Sequence, residues 1–339
     1  MTATASRNPV LDYAKGIAII LVVTGHLMTG ETGLEKWIYS FHLPLFLTVN
    51  GYLQGMKPVR QTFGQYAWKE TQVLLYPFAV FSFLKAVINF FVESDPEEFI
   101  DPISRLLLFS GDGALWYLPA FFLSALLFFF LRKTGLLRWE GLLCLITLFS
   151  SGAIAAHDPY QPDSLMFYCN LINRTLVLSV FTSLGYWYRR HENRLPVSLL
   201  NGFLLVAVGF VTGMLNAQPD IHYSILGNPV LFFASASATC MGILMMLQNL
   251  HLRMNWLGWC GRNSMLIYLT HTTFHYTGMA RDIMEMWTAS PWMITAGAVC
   301  LVMLAEIPTV WLLQNPLKWL VQCSFFRKAG ATHETAQSS

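Results

Sequence analysis

Residues 11–26 read LDYAKGIAIILVVTGH, an apolar run with a lysine near one end and a histidine at the other. Lys15 and His26 are 11 residues apart. At 3.6 residues per turn that is about three turns, which sets both side chains on one helix face roughly 16 Å apart along the axis. Asp12, three residues before Lys15, falls close to the same face. A polar stripe on a helix of this character is costly in lipid, so it is expected to face protein or a water-filled cavity.

The rest of the chain has the same character. Its 339 residues are 55% hydrophobic and 12% charged, against about 25% charged in a soluble domain. Residues 71–92, 114–131, 197–215 and 229–248 approach or exceed the ~18 apolar residues of a spanning helix. The runs are continuous rather than alternating, so nothing in them suggests a barrel. The expected fold is all-α: a polytopic transmembrane helical bundle of about ten spans, over residues 10–28, 38–55, 71–92, 114–131, 140–156, 171–188, 197–215, 229–248, 262–280 and 290–314. Residues 1–325 are expected to form one domain and 326–339 a disordered polar tail. The first ten residues are polar, so no cleavable signal is expected. The six cysteines lack close-paired spacing and read as small buried hydrophobes, with no metal site. No nucleic-acid partner is expected.

The connections alternate in charge. One set holds Lys57, Arg60, Lys69, Arg132, Lys133, Arg189, Arg190, Arg253, Arg262 and Lys318; the other holds Lys36, Arg105, Arg174 and Arg281 among many acids. Basic connections stay cytoplasmic, so both termini are expected there. Lys15 then lies near the inner end of the first span. His26, His42, Trp116, Tyr117 and Arg174 lie towards the outer side, with His271 near mid-membrane. A cavity crossing much of the membrane would account for both sets.

Four segments resemble the integral-membrane acyltransferase family 3, which includes polysaccharide and Nod-factor O-acetyltransferases. They are LDYAKGIAIILVVTGH (11–26), FHLPLFLTVNGYL (41–53), LWYLPAFFLS (115–124) and LGWCGRNSMLIYLTH (257–271). Their order and spacing match the family pattern. Lys15 stands where most members have arginine, and Asn50 where the second segment usually has serine. Lysine keeps the charge and loses the bidentate fork. The resemblance is nearest the fucose 4-O-acetylase branch, which tolerates lysine there.

Acyl transfer from a thioester to a hydroxyl needs a base or a transient acyl carrier, and imidazole serves as either near neutral pH. By its position alone His26 is equally a catalytic group or an interhelical hydrogen-bond partner; the resemblance implies the family's essential histidine. Lys15 is suited to a phosphate of the donor, or else snorkels or pairs with Asp12. Asp12 is expected to orient Lys15. His42, just before Pro44, is expected beside His26. Trp116 and Tyr117 either stack on a sugar or belong to an aromatic belt. Arg174 and His271 are placed with the acceptor, His271 being equally an interhelical partner. Lys85 and Glu306 are buried charges that can pair with each other.

The resemblance implies a membrane O-acyltransferase. It moves an acyl group, acetyl first, from cytoplasmic acyl-CoA to a hydroxyl of a surface polysaccharide or lipid-linked sugar. It works in the bacterial inner membrane among membrane lipids, with a glycan-assembly system as partner. Succinyl transfer by the same fold, or non-enzymatic glycan or lipid transport, are the alternatives.

Overall fold

The computed structural model describes residues 8–28, 32–93, 97–155, 165–250 and 253–322. The expected tail at 326–339 lies outside these. The described residues are almost wholly helical, with a single isolated bridge between Asp220 and Ile225.

The chain begins with α1 (Pro9–Leu27), α2 (Gly33–Gly55) and α3 (Phe63–Glu70). One π-helical turn, Thr71–Leu75, joins α3 to α4 (Tyr76–Glu93). Then come α5 (Glu97–Leu107), α6 (Tyr117–Thr134), α7 (Glu140–Ala155), α8 (Leu165–His191), α9 (Leu199–Leu215) and α10 (Pro229–Asn249). The last group is α11 (Asn255–Arg262), α12 (Ser264–Thr273), α13 (Tyr276–Glu285) and α14 (Pro291–Gln314). The helix starts are written locally. Asn8 caps α1 by accepting from Val10 N–H at 3.0 Å, with Pro9 in the first turn. Thr32 caps α2, and Thr62 and Gln65 form a reciprocal capping box on α3.

Among the described residues five helices are long and apolar enough to cross a membrane: Pro9–Leu27, Phe63–Val92, Gly113–Thr134, Pro229–Asn249 and Pro291–Gln314. Leu199–Leu215 is apolar but shorter. The other expected spans fall short for visible reasons. α2 and α8 carry buried polar groups, Ser40, His42 and Thr48 on one and Asn170, Asn173 and Arg174 on the other. Those groups are buried and find partners within the protein: Ser40 meets Ser235 of α10, and Asn173 accepts from Ser150 of α7. The expected span at 262–280 is three short helices, broken at Asn263 and at His275, whose φ is +56°.

Two glycines decide how α1 sits. A Cβ on Gly16 would collide with the Leu257 carbonyl, and one on Gly261 with the Asp12 carbonyl. The backbones of α1 and α11 therefore touch, the small-residue contact by which membrane helices associate. The same contact brings Arg262 to the Lys15 end of α1. At the other end Arg281 of α13 donates to the carbonyls of His26 and Leu27 at 3.2 and 3.1 Å. This satisfies carbonyls that a helix C-terminus leaves open. Lys85 and Glu306 do not pair: Lys85 meets Asp112 at 2.6 Å, and both Glu306 oxygens meet the Thr270 hydroxyl at 2.8 and 2.7 Å. Cys240 and Cys260 are buried, whereas Cys300 is exposed on the flank of α14.

Candidate functional site

The His26 end of α1 opens into a cavity of about 380 Å³. His26 is exposed to it, and His42, Tyr39, Trp116, Asp112 and His222 share its wall. Three imidazoles meet here. The rings of His26 and His271 have centroids 5.2 Å apart. His42 Nδ1 lies 2.7 Å from the Ile38 carbonyl, and His271 Nδ1 3.0 Å from the Ile267 carbonyl. A carbonyl only accepts, so each Nδ1 carries the proton and each Nε2 is left as a bare acceptor. The Nε2 of His271 is fully buried and has no hydrogen-bond partner among the described residues. The helical i, i−4 spacing on α2 and α12 thus fixes both tautomers. Tyr39 braces the group, its ring edge-on to His42 and its hydroxyl donating to the Gly25 carbonyl at 3.2 Å.

The facing wall is an aromatic stack. Trp116 and His222 lie nearly parallel, 8° between planes and 4.9 Å between centroids. The Arg174 guanidinium sits 5.4 Å from the Trp116 ring centre and donates to the Ser110 carbonyl. His222 belongs to a short turn between α9 and α10 that Asp220 holds by accepting from its N–H at 2.9 Å. Burial, with the Arg174 and Arg105 charges, pushes the His222 imidazole down to about 3. Burial pushes the Asp220 carboxyl up. The imidazole is neutral at physiological pH and stacks as an aromatic ring.

At the other end of α1 Lys15 pairs with Asp12 at 3.1 Å. It lines a second cavity of about 340 Å³, walled mainly by apolar groups such as Phe46, Leu74 and Phe121. The π-helical turn supplies Val73 and Leu74 to that wall, a distortion common beside functional sites. Asn50, Leu53 and Glu70 are shared with a third space of about 650 Å³, where Lys57, Arg60, Lys69 and Arg132 gather. Arg132 fixes that rim by donating to the carbonyls of Gln54 and Lys57 at 2.7 and 2.6 Å. Tyr268 lines both the Lys15 cavity and the His26 cavity. Its hydroxyl donates to the Ala114 carbonyl, and its ring lies 5.6 Å from that of Tyr117.

The structure thus brings His26, His42 and Trp116 to one cavity. His271 backs His26, and Arg174 backs Trp116. Tyr117 is elsewhere: it lines the Lys15 cavity, and its hydroxyl donates to the Leu43 carbonyl at 3.2 Å. His222, Tyr39, Tyr268 and Asp112 join the site without having stood out in the sequence. Asp112 carries one signal, the two glycines that flank it. The histidine of the 216–228 connection had none, because its partner Trp116 is 106 positions away.

The acyltransferase 3 family profile, described as an acyltransferase domain, matches residues 8–311. The chain is also similar to nodulation protein NolL of Mesorhizobium japonicum, 31% identical over 138 residues, 37% of this chain and 36% of that protein. It is similar to nodulation protein NolL of Sinorhizobium fredii, 34% identical over 134 residues, 36% of each chain. These matches span little more than a third of the length of the two curated relatives. No solved structure gives a significant match. A family match that runs from the cap of α1 into α14, on a helical chain with five membrane-length apolar helices, identifies the protein as a membrane acyltransferase of the acyltransferase 3 family.

Proposed function

We propose that the protein transfers an acyl group, acetyl foremost, from cytoplasmic acyl-CoA to a hydroxyl of a cell-surface or lipid-linked glycan. The observation that carries this reading is the pair of cavities at the two ends of α1, with Tyr268 in the wall of both. Lys57, Arg60 and Arg132 suit the phosphates of a nucleotide donor. The apolar cavity beyond them suits a thin, flexible arm, and Lys15 sits on its wall. Bound there, the donor supplies an activated acyl thioester. The basic groups of the Lys15 end support its assignment to the cytoplasm, with ten crossings of a bacterial inner membrane and both termini on the cytoplasmic side.

On the far side His26 is the group in reach of an acceptor. In this reading one ring nitrogen of His26 takes the proton of the acceptor hydroxyl as its oxygen attacks the thioester carbonyl; the C–S bond breaks, and the departing CoA thiolate takes up that proton. The other ring nitrogen of His26 donates to the bare Nε2 of His271, which holds His26 in the basic tautomer. His42 presents its own Nε2 to the acceptor. Trp116 and His222 offer a flat face to a sugar ring, with Arg174 steadying the tryptophan from behind. The resemblance to polysaccharide and Nod-factor O-acetyltransferases supports a glycan acceptor, delivered by a glycan-assembly partner.

The test is transfer from labelled acetyl-CoA to a panel of surface-glycan acceptors by the purified protein in liposomes. The His26→Ala variant runs alongside. Label reaching a glycan with the wild type and not with the variant is the expected result. Full transfer by the variant would contradict the assignment of His26. Donor binding without transfer to any acceptor would contradict the enzyme reading for these acceptors.

A further inference from the structure

The segment Gly111-Asp112-Gly113 has no part in the roles above, yet Asp112 lines the His26 cavity. It lies in the connection between α5 and α6, four residues before Trp116. Its Oδ2 is 2.6 Å from Lys85 Nζ, which reaches in from the middle of α4. Its Oδ1 is 4.0 Å from Arg105 Nε, too far for a hydrogen bond, and Arg105 is itself held by Asp101 at 2.7 Å. The Lys85 and Asp112 side chains are 11% and 20% exposed, so the pair is shielded but the acid keeps an open edge.

The backbone is shaped around this pair. Gly111 has φ +70°, and a Cβ there would overlap the backbone of Trp116 at 2.5 Å. Gly113 has φ +52°, and a Cβ there would come within 2.6 Å of Lys85 Nζ. Only glycine allows the turn to fold onto Trp116 on one side and admit the ammonium on the other. An acid needed solely to neutralise a buried lysine requires no place on a cavity wall. Here one oxygen is held by the Lys85 ammonium at 2.6 Å, and carboxylate oxygens accept hydrogen bonds. The other oxygen is 4.0 Å from Arg105 Nε, and the residue lines the space that His26, Trp116 and His222 share. A fixed acceptor beside an aromatic face is suited to a sugar, whose hydroxyls donate while its C–H face lies on the rings.

We propose that Asp112 is an acceptor-positioning residue: its Oδ1 accepts a hydrogen bond from one hydroxyl of the acceptor sugar and so turns a neighbouring hydroxyl towards His26. Lys85 fixes the carboxylate for this purpose. The inference rests on the glycan-acceptor reading above.

The experiment measures acceptor and donor KM separately for the wild type, Asp112→Asn and the double variant Asp112→Asn/Lys85→Met. It uses labelled acetyl-CoA and methyl glycosides of neutral and acidic hexoses with protein in liposomes. Asp112→Asn is expected to raise the acceptor KM about tenfold or more, the scale of a lost hydrogen bond to a charged group, with the donor KM unchanged. The double variant removes the unpaired ammonium and restores packing, and it is expected to keep the raised acceptor KM. A double variant with wild-type acceptor KM would overturn the inference and leave Asp112 a neutralising partner of Lys85. An unchanged acceptor KM in Asp112→Asn would overturn it as well. Failure of the wild type to transfer acetyl to any glycoside would instead contradict the function reading, and this inference with it.

Discussion

The two ends of α1 differ in chemistry more than any other two regions of the protein. The Lys15 end is an apolar cavity that runs into a space rimmed by Lys57, Arg60, Lys69 and Arg132. The His26 end is a chamber of imidazoles and stacked rings with Asp112 and Asp220 in its wall. The first suits a long molecule with a charged head and a thin arm. The second suits a compact molecule rich in hydroxyls. One helix of 19 residues spans the two, and Tyr268 stands in the wall between them. In the function proposed above, the two substrates are read by separate ends of one helix. Damage to one end is then expected to leave the other end's binding intact.

The largest effect is expected where the ends converge. His26→Ala should lower transfer at least about 100-fold, the lower bound for a lost general base. Acetyl-CoA binding, measured by calorimetry on the same variant, should stay within a few-fold of wild type. Loss of donor binding together with transfer would break the separation of the ends.

The next effect belongs to the donor end alone. Replacing Arg60 and Arg132 together by Gln should raise the acetyl-CoA KM about 10- to 100-fold, the scale of one or two lost charge-assisted hydrogen bonds. Added salt should weaken the wild type towards the variant. The acceptor KM should not move, and steady-state kinetics at two salt concentrations checks both statements.

A smaller effect belongs to the acceptor end. Trp116→Ala removes the stack with His222 and should raise the acceptor KM about 2- to 10-fold, from the worth of an aromatic contact. The donor KM should hold.

The smallest effect is a pH dependence. The His222 imidazole is held down to about 3 by burial, Arg174 and Arg105, against about 6.5 when unfolded. The unfolded form therefore binds the extra proton first. The stability that neutral His222 contributes is complete above about pH 6.5 and is lost as pH falls towards 3. The carboxyl of Asp220 is pushed up by burial and acts in the opposite sense. His222→Phe keeps the ring stack and lacks the titration. Thermal unfolding of this variant between pH 7 and pH 5 should fall less than that of the wild type.

The helical class was legible because the apolar runs are long and continuous. The number of crossings was less legible: α2 and α8 carry buried polar residues that lower the apparent hydropathy, and a turn at His275 interrupts the run at 262–280. The pairing of Lys15 with Asp12 was legible because both lie on one helix face. The histidines were legible as residue types, but their fixed tautomers were not, because these depend on carbonyls of the preceding turn. His222, Asp112 and the basic rim join elements far apart in the chain. Local spacing carries no trace of such pairs. Only the flanking glycines at 111 and 113 leave a mark, and nothing local to them points to Lys85.

The central claim is that one substrate enters at each end of α1, and it is tested most directly by supplying the two from opposite sides. Protein is inserted in liposomes in one orientation, verified by protease access to the connections. Labelled acetyl-CoA is given on the Lys15 side alone and a membrane-impermeant glycan acceptor on the His26 side alone. Label is expected on the glycan across the membrane, and none when the two compounds are exchanged. Transfer that occurs only with both compounds on one side would contradict the claim.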